Sequence, residues 1–252
     1  MVILSVNINK IALIRNSREG NNPDLVSYAR NCIELGAQGI TVHPRPDQRH
    51  IRADDIVPLA QLCSEFPNIE FNIEGNPNAE SLGSYPGFLE LVRIAKPHQV
   101  TLVPDSDDQL TSDHGFDLSG DNTALEQQIA FCKALGCRVS LFMDADIEQL
   151  QRVPSTGADR VEFYTGPFAD AWNESEQAGK DSFALYAHCA EFAHSLGLGI
   201  NAGHDLNLEN MRLFKSLPEL SEVSIGHALT IESLEQGLAT TLQRYRALLA
   251  DA

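Results

Sequence analysis

The sequence predicts a single (β/α)8 barrel spanning residues 1–252. Three observations lead to it. Short β-branched runs alternate with longer segments of helical period throughout; eight such runs occur; and no Pro/Gly-rich linker interrupts them. The length of 252 residues suits this architecture, and an apolar content of 43% is enough for one large core.

The expected strands are residues 3–8, 39–43, 69–73, 99–103, 138–143, 160–164, 197–201 and 222–225. Several are nearly continuous apolar runs, as a parallel strand covered on both faces requires. After the first strand, Leu25, Tyr28, Ala29, Cys32 and Leu35 recur at helical steps, and Gly36 stands where that helix must stop. Thr123 followed by Glu126 predicts a capping box that opens a helix through Ile129, Cys132 and Leu135. In the last helix Ile231, Leu234, Leu238, Leu242, Tyr245 and Leu249 form one apolar stripe. The rival fold, a doubly wound open sheet, wants a Gly-rich turn after the first strand, where Asn7-Ile-Asn-Lys10 has no glycine.

Two connections exceed what a bare barrel needs. Residues 104–122 include Asp105, Asp107, Asp108 and Asp113 with two glycines, and residues 165–181 surround Trp172. Both follow strand C-termini, so both are expected to be lids or binding loops.

Thirty-five acids against eighteen bases leave a net charge of −17. Nucleic acid or an anionic membrane would need a basic footprint, and no Lys/Arg cluster supplies one. No apolar run approaches the ~20 residues of a membrane span, and the N-terminus lacks the basic region of a secretory leader. The five cysteines, an odd number in apolar surroundings, read as buried reduced thiols of a cytoplasmic protein. Cys132 and Cys137 have no C-x-x-C spacing, so no zinc site is expected from them.

The C-terminal ends of barrel strands form the functional face. Those ends carry Asn7, His43, Glu70, Thr101, Asp144, Glu162, Asn201 and His204, then Gly226 with His227. A lone histidine is more often structural, but several converging on one face point to function. Within eight residues, His43, Arg45, Arg49 and His50 offer planar forks and imidazole donors suited to a phosphate monoester. The plainer reading is a solvated basic turn.

Strand alternation puts Glu70, Asn72 and Glu74 on one face. Desolvation there would raise the pKa of Glu70 toward the range of a general base; an ion pair with a barrel Arg or Lys is the alternative. Glu162 has the same two readings. Asn201-Ala-Gly-His-Asp205 and Ser224-Ile-Gly-His227 end the last two strands, where barrels often hold phosphate. No H-x-H or H-E-x-x-H spacing calls for a metal, although ligands can also gather from separate strands. No G-x-S-x-G elbow supports a serine hydrolase.

Taken in order, Ser5-Val-Asn-Ile, the segment from Gly39 to His50, Leu102-Val-Pro, Val139-Ser-Leu-Phe, Asn201-Ala-Gly-His204 and Ile225-Gly-His-Ala228 resemble the pyridoxine 5′-phosphate synthase family. The resemblance implies a (β/α)8 barrel with extra helices, assembled as a homo-octamer, without metal or organic cofactor. It implies condensation of 1-deoxy-D-xylulose 5-phosphate with 3-amino-2-oxopropyl phosphate, releasing phosphate and water. By the same resemblance His43 and Glu70 would be general bases, His204 the proton donor and Glu162 a charge-stabilising carboxylate. Asn7, Arg18, Gly226 and His227 would contact the amino-ketone phosphate; Arg45, His50 and Thr111 would contact the deoxyxylulose phosphate. The chain departs from the family pattern at Asn9-Lys10, where Asp-His is usual, and at Asp205, where glycine is usual. These positions are expected to bind substrate in altered detail, Lys10 by attracting substrate oxygens unless it pairs outward with Asp107 or Asp108. Another sugar-phosphate barrel enzyme, or a barrel that binds phosphorylated metabolites without turnover, is the alternative.

Overall fold

The computed structural model describes residues 2–106 and 109–250. The β-branched runs form β1 (Ile3–Asn7), β2 (Gly39–Val42), β3 (Glu70–Gly75), β4 (Gln99–Leu102), β5 (Arg138–Met143), β6 (Arg160–Tyr164), β7 (Gly199–His204) and β8 (Leu220–Ile225). All pair in parallel in chain order, and β8 returns to β1 to close the barrel. This is the architecture the alternation predicts.

Two strand ends lie further along the chain than the pattern suggests. The third strand was expected over 69–73 but runs to Gly75, because β4 supplies partners for Glu74 and Gly75 at Thr101 and Leu102. The seventh was expected over 197–201 but runs to His204, paired through Gly203 and His204 with Ser224 and Ile225. A parallel strand ends where its neighbours stop offering hydrogen bonds, which local composition does not reveal.

The helix Leu25–Glu34 forms as its spacing predicts. The Asp24 carboxylate accepts from the Ser27 N–H at 2.8 Å to cap it, and Gly36 (φ +100°) ends it. Three other expectations are corrected. Thr123 is the first residue of the helix Thr123–Ala134, and its N–H and hydroxyl both donate to the Asp121 carboxylate, at 2.9 and 2.7 Å. That nearer carboxylate takes the bonds a capping box would have used. The C-terminal stripe breaks at Gly237 into helices His227–Gln236 and Leu238–Ala250. Leu242, Tyr245 and Leu249 are buried, but Ile231 and Leu234 are 44% and 74% exposed.

The segment 165–181 is not a lid. It contains the helix Gly166–Glu174 and opens the helix Glu176–Ser195. The ring of Phe168 lies 4.9 Å from that of Phe214 and 6.1 Å from that of Trp172, so aromatic burial holds the segment against the barrel wall. The connection 104–122 contains no helix or strand among its described residues.

The two faces of each strand differ in chemistry. Phe71 and Ile73 of β3 join the apolar layer between barrel and helices, while Glu70, Asn72 and Glu74 point along the barrel axis. The interior is polar and hydrogen-bonded in rows: Ser5 to Thr41 at 2.7 Å, Asn72 to Thr41 at 3.3 Å, and Thr101 to Asn72 at 3.2 Å. Nearer the N-terminal mouth Asn201 donates to Gln99 and Glu222, and Arg160 donates to Asn201. Such a filling is tolerable because these groups satisfy one another, the buried Ser140 hydroxyl of β5 being an exception that finds no partner. All five cysteines are buried and unpaired, and among the described residues no helix is long and apolar enough to cross a membrane.

Candidate active site

A cavity of about 270 Å3 opens at the C-terminal mouth of the barrel. Its walls come from β1, β3, β5, β6, β7 and β8 and from the connections after β1, β2, β4, β7 and β8. All the expected site residues except Glu70 and Arg18 line it.

Glu70 is the clearest correction. It opens β3 at the opposite mouth, where both carboxylate oxygens accept from the Arg138 guanidinium. Burial works to raise its pKa, but that bond and the Arg138 charge hold it below the usual carboxylate range. The ion-pair alternative is therefore the one realised. Glu74, four residues later on the same face, reaches the cavity. The misplacement follows from ending the strand too early. The signal lay in the sequence, since Asn76-Pro77 marks the turn that stops β3.

Arg18 is exposed and outside the cavity. Arg15, three residues earlier on the helix Asn9–Asn16, takes the inward position. It forms a bidentate pair with Asp55 at 2.5 and 2.9 Å and donates to the His50 carbonyl at 3.0 Å. Arg18 lies past the end of that helix, beyond its C-cap Ser17, and faces solvent.

Short polar links position the reactive groups. The Asn7 amide donates to Glu74 at 3.3 Å, and its oxygen accepts from the Asn9 N–H at 3.0 Å. Asn9 in turn accepts from the His43 N–H at 2.9 Å. Asn9 thus braces the backbone of His43. The His43 ring lies between two carboxylates, with Nδ1 3.8 Å from Glu74 and Nε2 3.7 Å from Asp105. Glu162, 4% exposed, accepts from the Thr101 hydroxyl at 3.3 Å. Glycine at 203 makes this possible, because a Cβ there would overlap the Glu162 carboxyl.

Burial sets the ionisation of this group. It pushes Glu162 up to about 8, helped by the charge of Glu222, and pushes Glu74 well above the carboxylate range, helped by Glu162 and Asp105. It also drives His43 well below the usual imidazole value, with Arg45 and other cations adding to the effect. Near neutral pH burial therefore favours protonated carboxyls beside a neutral imidazole, an arrangement suited to passing protons in either direction.

The cationic side of the cavity comes from the loop after β2. Arg45 pairs with Asp105, which also accepts from the Ser112 hydroxyl at 2.8 Å. His50 Nδ1 accepts from the Ile51 N–H at 2.9 Å, so the neutral ring carries its proton on Nε2. Burial and the nearby Arg45, Arg49 and Lys10 lower His50 to about 3, which keeps the ring neutral. On the opposite side Gly226 and His227 start the helix His227–Gln236, where free backbone N–H groups favour an anion. A Cβ on Gly226 would sit 3.0 Å from the Asn7 Cβ, so glycine permits this close approach of β8 to β1.

Thr111 and His204 meet across the cavity at 2.7 Å, which ties the connection after β4 to the end of β7. Lys10 lines the same cavity, and no described carboxylate lies within 4 Å of its ammonium; Asp107 and Asp108 lie outside the described residues. Besides Glu74, the sequence reading missed Asp105 and Ser112 as site residues. Asp105 was seen only as one of several loop acids, and nothing local distinguishes the one that turns inward.

The family model for Pyridoxal phosphate biosynthesis protein PdxJ matches residues 4–251. A pyridoxine 5′-phosphate synthase of Xanthomonas campestris pv. campestris (strain B100) is 55% identical over 248 residues, covering 98% of this chain and 96% of its own. The same enzyme of Xylella fastidiosa (strain 9a5c) is 51% identical over 245 residues, covering 96% and 92%. Among solved structures, 3-hexulose-6-phosphate synthase from Salmonella typhimurium aligns over 99% of both chains with a TM-score of 0.61 at 14% identity, a likeness of fold alone. The match extends from β1 to the final helix, and the chain belongs to the PdxJ family of pyridoxal phosphate biosynthesis proteins.

Proposed function

We propose that this cavity condenses 1-deoxy-D-xylulose 5-phosphate with 3-amino-2-oxopropyl phosphate to form pyridoxine 5′-phosphate. The observation that carries the reading is the buried His43 ring 3.8 Å from the Glu74 carboxyl, between the loop of Arg45 and His50 on one side and the helix start at His227 on the other. Amine attack, loss of water, loss of phosphate and ring closure each move a proton, so several acid–base groups must share one pocket. Two phosphate handles hold both substrates there and make their union effectively intramolecular. In this assignment His43 and Glu74 exchange the protons of the carbon centres, His204 donates to the departing oxygen, and Glu162 gives up its proton as positive charge develops beside it. Incubation with both substrates and assay of pyridoxine 5′-phosphate tests the reading. Binding of both without product would make the protein a phosphate-metabolite sensor.

Arg45 and His50 hold the deoxyxylulose phosphate in this scheme. Arg45→Lys keeps a cation beside Asp105 but loses the planar fork. It is expected to weaken deoxyxylulose phosphate binding by about 1–2 kcal/mol. Calorimetric titration checks this; an equal loss for the amino-ketone phosphate would show that the two phosphate sites are wrongly divided. Lys10→Met is expected to raise the dissociation constant of deoxyxylulose phosphate alone, by about 1 kcal/mol. An unchanged constant would place the Lys10 ammonium in an outward ion pair.

The homo-oligomer has its own support in the exposed Leu13, Ile14, Ile231 and Leu234, carried on two helices that touch. Sedimentation of the purified protein measures its size, which the family resemblance puts at eight subunits. A cytoplasmic location fits buried free thiols and an acidic, soluble-enzyme composition.

A further inference from the structure

His204 closes β7 with φ +95°, a left-handed conformation unusual for a side chain of its size. Both its ring nitrogens are engaged: Nδ1 lies 2.6 Å from the Asp205 carboxylate and Nε2 lies 2.7 Å from the Thr111 hydroxyl. The Tyr164 ring stands edge-on to the imidazole at 5.3 Å. The backbone is pinned immediately afterwards, because the Asp205 carbonyl accepts from the Asn210 amide at 3.1 Å and Asn210 is buried.

We propose that Asp205 is a positioning residue that holds the Nδ1–H of His204, so that Nε2 is the atom carrying the transferred proton. An ionised carboxylate only accepts, so Nδ1 must be the donor in this pair, and in the neutral ring Nε2 is left with the lone pair that accepts from Thr111. When His204 is protonated, Nε2–H gives its proton to the oxygen that leaves as water, and the ring returns to neutral with Nδ1–H still on Asp205. Asp205 itself never changes protonation.

The surroundings agree with an ionised Asp205. Burial works against ionisation, but the hydrogen bond and charge of His204, with His227 and Lys10 behind it, hold the carboxyl below the usual range. Among the described residues, Tyr164 from β6, His43 just after β2, Lys10 after β1 and His227 after β8 are the titratable neighbours of the pair, and Asp113, Asp144 and Asp170 act on Tyr164. Asp205 is thus the carboxylate in direct contact with the ring, while the neighbouring cations favour its charge.

The inference rests on His204 as proton donor, so the test has one arm that needs no turnover. Deuterium exchange at the C2–H of His204, followed by mass spectrometry against pH, reports the titration of that ring in the assembled enzyme. In Asp205→Asn and Asp205→Gly the midpoint is expected to fall by about 1–3 pH units, the usual effect of removing an adjacent opposite charge. The alkaline limb of kcat should move down with it, kcat should fall by roughly 10- to 100-fold, and KM for both substrates should change little. An unmoved midpoint with a raised KM would overturn the proposal and make Asp205 a substrate contact. A shifted midpoint in a protein that makes no pyridoxine 5′-phosphate would uphold the dyad while rejecting the reaction.

Discussion

Glu74→Gln is expected to keep the fold and lower turnover by about 10²–10⁴-fold, the usual worth of a positioned acid or base. Glutamine preserves the shape that Asn7 contacts at 3.3 Å, but it can act as neither acid nor base beside the His43 ring, 3.8 Å away. Steady-state kinetics on both substrates checks this. The companion variant Glu70→Gln separates the two carboxylates. Its effect should be a loss of stability of about 1 kcal/mol, since the pair with Arg138 is only partly buried, with turnover within a few-fold of the parent. Near-normal turnover in Glu74→Gln would remove Glu74 from the proton path. A collapse of turnover in folded Glu70→Gln would return catalytic weight to the far mouth.

The second large effect is on stability and runs with pH. In the folded protein burial pushes Glu162 up to about 8, whereas an unfolded glutamate titrates near 4.5. Between those values the folded state binds more protons than the unfolded state, so stability falls as pH rises and levels off above about 8. Glu162→Gln has no such proton to lose. It is expected to resemble the parent near pH 5 and to exceed it at pH 8–9 by on the order of a few kcal/mol. Urea unfolding midpoints at the two pH values measure the difference. Equal pH dependence in both proteins would mean that a cation or water relieves the buried charge. The same group that costs stability at alkaline pH is one the pocket needs, a trade often seen at active sites.

The barrel itself was legible because its cause is local. Each strand is a β-branched run, and each helix carries an apolar stripe that can bury only against those strands. Where the reading failed, the deciding partner was distant in sequence. The end of β3 depends on Thr101 and Leu102, and the fate of Thr123 depends on a competing carboxylate at Asp121. Residues 165–181 were expected to form a lid or binding loop, but Phe168 packs on both Trp172 and the distant Phe214 and draws the segment into helical structure.

By itself the sequence determined the fold class, the end of the barrel that does chemistry, and most of the residues that gather there, because strand period and order assign them before any contact forms. His43, Glu162 and His204 could be chosen from their places at strand ends. Which carboxylate enters the cavity, which arginine turns outward and which histidine nitrogen carries the proton were decided only by the tertiary structure. Glu70 and Glu74 have the same side chain on the same face of one strand, and the closed barrel puts Arg138 beside one and His43 beside the other. Burial works to raise both pKa values, but the Arg138 pair holds Glu70 below the usual carboxylate range, while Glu162 and Asp105 push Glu74 further above it. The physical reason is that desolvation and charge pairing belong to the surroundings a residue meets after folding, and those surroundings come from other strands.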